Sequence, residues 1–104
     1  IISFSELLES EKKFNMSKQL FRSGTSVGAN VHEAQNAESK LDFIHKMKIA
    51  AKELDETFYW LKLCKHSKNY PDTNGLLLKI QSLNKILSKI ISISKNKLKN
   101  NNFQ

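Results

Sequence analysis

Gly24 to Gly28 read Gly-Thr-Ser-Val-Gly, the letters of a nucleophile elbow in which the central serine, here Ser26, would attack an ester. Such a serine needs a strand before it, a helix after it, and a fold large enough to bring a base and an acid to it. The chain has 104 residues, too few for an α/β-hydrolase sheet with its flanking helices. The run before the motif, Lys-Gln-Leu-Phe-Arg-Ser, has neither the alternation nor the β-branched residues of a strand. Ser26 is therefore expected on a helix, without a catalytic role.

The remaining chemistry is sparse. His32, His45 and His66 lie far apart, and no His-Glu-x-x-His or paired Glu-x-x-His pattern marks a zinc or di-iron site. Glu53, Asp55 and Glu56 point in different helical directions, with Lys52 and Lys62 one turn away, and read as surface charges rather than a general acid and base. No Gly-Lys-Ser/Thr follows the glycines, so there is no phosphate-binding loop of the Walker type. Cys64 has no second cysteine to pair with and is expected as a packed, reduced thiol. No enzyme activity, metal or cofactor is expected.

The elements that carry these residues are helices. One proline and three glycines leave few breakers, and no run approaches the roughly 18 to 20 apolar residues of a membrane span. With no signal peptide at the start, the expectation is a soluble, cytoplasmic protein. From Ser39 to about Lys68, Ile44, Met47, Ala51, Leu54, Phe58 and Leu61 recur at spacings of three and four, the period of one helical stripe. Ser39 with Asp42 three residues on can satisfy free backbone N–H groups at its start. Asn69 to Gly75 collect the residues of a loop, after which Leu76, Ile80, Leu83, Leu87, Ile90 and Ser94 repeat the spacing and fade near Lys97. Residues 98–104 are expected as a frayed tail.

Near the amino end, Ile1, Phe4, Leu8 and Phe14 predict a short helix and Lys13 to Ser17 a turn. Because the chain opens at once in an apolar pattern, that first helix is expected to be truncated. A helix over about Lys18 to Ala37 then contains the glycines. On it Leu20, Gly24, Val27, Val31 and Ala34 fall within roughly 80° of one another, so Gly24, with Gly28 four residues on, marks close helix packing. The sum is an all-α, antiparallel up-down four-helix bundle in one domain, residues 1–104.

In the last helix Leu83, Ile86, Ile90 and Ile93 form a second apolar row beside the first. In the third, Trp60 and Leu63 project away from the main stripe. These candidate contact residues, Trp60, Leu63, Ile86 and Ile93, predict a homo-oligomer.

The formal charge of +7 is unevenly placed. Residues 73 to 104 hold six lysines, Lys79, Lys85, Lys89, Lys95, Lys97 and Lys99, and no acid. Together with Arg22 they are the candidate contacts to RNA or DNA phosphate. With Arg22 the only arginine, bidentate reading of bases is scarcely available, so binding is expected to be weakly sequence-specific.

Arg22 to Ala34 read R-S-G-T-S-x-G-A-N-x-x-E-A, residues 39–47 S-K-x-D-F-I-H-K-M, and Glu56 to Leu61 E-T-x-Y-W-L. These motifs resemble the bacterial four-helix bundle family encoded in intervening sequences of 23S rRNA genes, whose biochemical function is unknown. The resemblance implies the bundle fold, no catalytic residues, and motif roles in helix packing or subunit contact for Gly24, Gly28, Arg22, Asn30 and Glu33. A similar fold, that of the accessory variability determinant of diversity-generating retroelements, is a basic homopentamer that binds nucleic acid and a reverse transcriptase. By that resemblance a pentamer is implied. The leading expectation is a non-enzymatic oligomeric bundle with a nucleic-acid-binding surface; the alternative is a protein-interaction or assembly module whose charge serves solubility, with an unidentified protein partner.

Overall fold

The computed structural model describes residues 1–102, and side chains through residue 100. It is an all-α, antiparallel up-down four-helix bundle: α1 (Ile2–Ser10), α2 (Phe14–Ala34), α3 (Lys40–Lys65) and α4 (Asn74–Asn102). Each helix packs on its sequence neighbour: α1 on α2, α2 on α3, α3 on α4. Short connections make such neighbours antiparallel. The body is elongated, 57 × 21 × 15 Å.

The apolar stripes meet in one core. Phe4 and Leu8 of α1, Leu20, Val27 and Ala34 of α2, Met47, Leu54 and Leu61 of α3, and Ile80 and Leu87 of α4 are all buried together. Full burial of a side chain of this size contributes roughly 1.5 to 3 kcal/mol, so the stripes rather than helix propensity hold the fold. The third helix starts as its sequence requires. Ser39 Oγ accepts from the Asp42 backbone N–H at 3.0 Å, and Asp42 Oδ2 accepts from the Glu38 N–H at 3.3 Å. Those two oxygens satisfy donors that would otherwise lack partners.

The boundaries differ most from expectation near the two ends of the chain. The turn between the first two helices lies at Glu11 to Lys13, not Lys13 to Ser17, so Phe14 opens α2 and is exposed. Lys12 there has φ 64°, a left-handed turn made without glycine or proline. At the far end α4 continues to Asn102, well past the expected fade near Lys97. Residues 103–104 of the expected frayed tail lie outside the described residues.

Candidate nucleic-acid interface

The lysines of α4 share a helix whose carboxyl-terminal half buries only a narrow strip. Leu87 is buried and Ile90, Ile91 and Ser94 are partly so, while Lys79, Lys85, Lys89, Lys95, Lys97 and Lys99 are all exposed. Lys95 comes up against Lys48 of α3, whose like charge holds the Lys95 ammonium below the usual lysine range. Two cations pinched together across a helix pair are stabilised by an anion between them. Nothing in the sequence pairs Lys48 with Lys95. Spacing along one helix carries no information about which lysine of a neighbour will lie beside it.

Arg22 stands apart from that surface. Its guanidinium reaches from α2 to two carboxylates of α3, Glu53 at 3.2 Å and Glu56. The hydrogen bond from Arg22 holds Glu56 below the ordinary carboxylate range, and Glu56 in turn raises Arg22. Arg22 is thus occupied between helices rather than free for phosphate. The expected partners of Glu53 and Glu56, lysines on their own helix, give way to this arginine of the next one. Glu33 likewise accepts from Lys46 across the same helix pair at 3.2 Å, whereas Asn30 donates within its own helix to the Ser26 carbonyl at 2.9 Å.

Ser26 donates its hydroxyl proton to the Arg22 carbonyl at 2.7 Å, with a helix on either side of it. Among the described residues no three His, Cys, Asp or Glu side chains are grouped to hold a metal ion, and no helix is long and apolar enough to cross a membrane. Cys64 is buried, and burial pushes its thiol up to about 11.

Residues 1–92 match the family of 23S rRNA-intervening sequence proteins. The chain belongs to this family. A crystal structure of a protein of unknown function from the S23 ribosomal protein family of Bacteroides thetaiotaomicron is similar to it, with 42% identity and a TM-score of 0.77 over 86% of this chain and 83% of that one. None of the curated proteins matches the chain.

Within this intervening-sequence protein the candidate subunit contacts separate into two kinds. Ile86, 55% exposed, and Ile93, 44% exposed, form an open apolar row on α4, and Leu63 lies at the surface of α3. Trp60 does not project away from the core. It packs partly against it, edge-on to Tyr59 with ring centroids 5.1 Å apart, and its Nε1 donates to Glu56 at 3.4 Å. A helical wheel places Trp60 off the Ile44 to Leu61 stripe, but the wide indole reaches back to cover the edge of that stripe.

Proposed function

We propose that this protein is a non-catalytic, oligomeric helical scaffold whose α4 surface attracts RNA or DNA through phosphate, without reading sequence. The observation that carries the reading is the acid-free run of exposed lysines on α4, with Lys48 set against Lys95. Phosphate would neutralise that pair and release counterions, a driving force that is indifferent to base identity. Assembly, as a pentamer by likeness to the retroelement determinant, would repeat the lysine surface and multiply weak contacts.

The test is fluorescence anisotropy with a mixed RNA and DNA oligonucleotide pool at several salt concentrations. Contact with about four phosphates predicts a loss of roughly 100-fold in affinity between 50 and 200 mM salt. Lys85→Glu/Lys89→Glu/Lys95→Glu should abolish binding while leaving the mass unchanged. Binding that does not vary with salt would sink the proposal.

A second reading, an assembly module without nucleic-acid binding, is favoured by the exposed Ile86 and Ile93 row. Light scattering with and without nucleic acid separates the two. A multimer that ignores nucleic acid at low salt, and that Ile86→Lys reduces to monomers, supports the second. A monomer would remove the oligomeric part of both.

A further inference from the structure

Between the carboxyl end of α3 and the first turns of α4 lies a cavity of about 520 Å³. Lys62, Lys65 and His66 line its α3 side, and Leu77, Leu78 and Gln81 its α4 side. Phe58 lines it too, and Phe58 and Gln81 also border a second hollow of about 240 Å³, with Asp55 of α3 and Asn84 of α4. Sharing those two residues, the hollows form one groove along the helix pair, basic at one end and acidic at the other.

The helix dipole alone accounts for lysines in a last turn, but not for what surrounds these. Among the described residues no carboxylate pairs with Lys62, Lys65 or His66. Asp72, across the loop, accepts instead from the Asn74 N–H at 3.0 Å. The Lys62 ammonium stands 5.5 Å from the centre of the Phe58 ring, so a cation and an aromatic surface share one spot. Leu78, 65% exposed, carries the apolar wall from buried Leu77 out to the rim.

A ligand that answers to all of this has an anion at one end and a flat, partly apolar body. Phe58 and Lys65 are about 10 Å apart along α3, the length of a nucleoside monophosphate. We propose that the groove binds a nucleoside phosphate, its phosphate among Lys62, Lys65 and the His66 ring N–H, its base laid against Phe58 and Leu78 with its polar edge toward Gln81 and Asn84. Ammonium groups hold phosphate as point charges, and an aromatic ring receives any base on its apolar face. The amides of Gln81 and Asn84 each donate and accept, so every base finds partners there. Asp55 repels phosphate and thereby sets the direction, base toward the acid and phosphate toward the lysines. The groove is separate from the Lys48 and Lys95 surface, since Gln81 and Lys95 lie about 21 Å apart along α4, and it does not rest on that reading.

Two-dimensional NMR titrations with AMP, adenosine and inorganic phosphate test the site. AMP should shift the amides of Phe58, Lys62, His66 and Gln81 saturably, and adenosine and phosphate should each bind about tenfold more weakly, since each makes only part of the contacts. Lys62→Ala/Lys65→Ala removes two exposed cations, each worth up to about fivefold, and should weaken AMP by about tenfold while hardly affecting adenosine. Leu78→Ser, at an exposed position, should weaken AMP and adenosine alike and leave phosphate unchanged.

Phosphate binding as tightly as AMP would reduce the groove to diffuse charge, and adenosine binding as tightly would take the lysines out of it; either overturns the proposal, as does AMP that shifts none of these amides. Loss of AMP binding in Lys89→Glu/Lys95→Glu would put the nucleotide on the far half of α4 and also overturns it. AMP binding by a protein that ignores the oligonucleotide pool supports the groove and sinks only the α4 surface. The source of the nucleotide follows from a 5′-phosphorylated tetraadenylate. Tighter binding than both AMP and the same strand without its 5′ phosphate supports the groove with a strand end as its ligand; tighter binding of AMP supports it with the free nucleotide.

Discussion

The hydroxyls of Ser23 and Thr57 meet at 2.9 Å in the buried interface between α2 and α3. Thr57 Oγ1 also lies 2.8 Å from the Glu53 carbonyl oxygen in the preceding turn. One proton serves each contact: Thr57 donates to the carbonyl and Ser23 donates to Thr57. The small Ser23 lets the two helices approach, and the hydrogen bond fixes their register.

Removing the acceptor should therefore cost more than removing the donor. Ser23→Ala leaves Thr57 bonded to its own helix and is expected to cost about 1 kcal/mol. Thr57→Val strands a buried hydroxyl and is expected to cost about 1 to 3 kcal/mol. The double variant should cost less than the sum, because no hydroxyl is then left unpaired. Urea denaturation of the four proteins checks the order; equal costs for the two single variants would exclude this division of protons.

The glycines of α2 should respond in opposite ways to alanine. At Gly28 a methyl group meets open space, so Gly28→Ala is expected to stabilise by up to about 1 kcal/mol through helix propensity alone. At Gly24 the same methyl displaces Ile1 from α2, which offsets the gain. Thermal unfolding should place Gly28→Ala above the parent and Gly24→Ala below Gly28→Ala.

The Arg22 network predicts a pH dependence of stability. Because Arg22 holds Glu56 below its ordinary value of 4.5, the contribution is complete above that pH and is lost as pH falls through the lower, folded value. Glu56→Gln should leave a smaller loss of stability on acidification below about pH 4.5, read from denaturation midpoints between pH 3 and pH 6. The effect should shrink in high salt, since Arg22 is half exposed.

Cys64 predicts the opposite sign at the alkaline end. Its thiol is raised from 9.0 to about 11 in the fold, so its contribution is complete below pH 9 and is lost as pH rises toward 11. Cys64→Ala should flatten the profile there. A thiol reagent at pH 8 should label native protein far more slowly than unfolded protein; labelling at equal rates would contradict the burial.

Much of this molecule is legible one helix at a time. Ser39 and Asp42 mark the start of α3, the three-four spacing from Ile44 to Leu61 gives its buried side, and the charge excess of the last third follows from counting. The motifs from Arg22 to Ala34 and from Glu56 to Leu61 lead to the family. The turn at Lys12 was not legible, because a lysine in the left-handed region leaves none of the glycine or proline signals that announce a turn.

The sequence by itself determined four helices, the face each one buries and the side of the chain that carries uncompensated positive charge, since all three follow from residue type and period. Only the tertiary structure decided that Arg22 meets Glu53 and Glu56, that Ser23 meets Thr57, that Lys48 lies against Lys95, and that Gly24 is covered while Gly28 is open. Each of these is a relation between residues on different helices or between a residue and empty space. Period fixes a direction around one axis; the axial stagger and rotation of one helix against the next, set by packing the whole core, fix what lies in that direction.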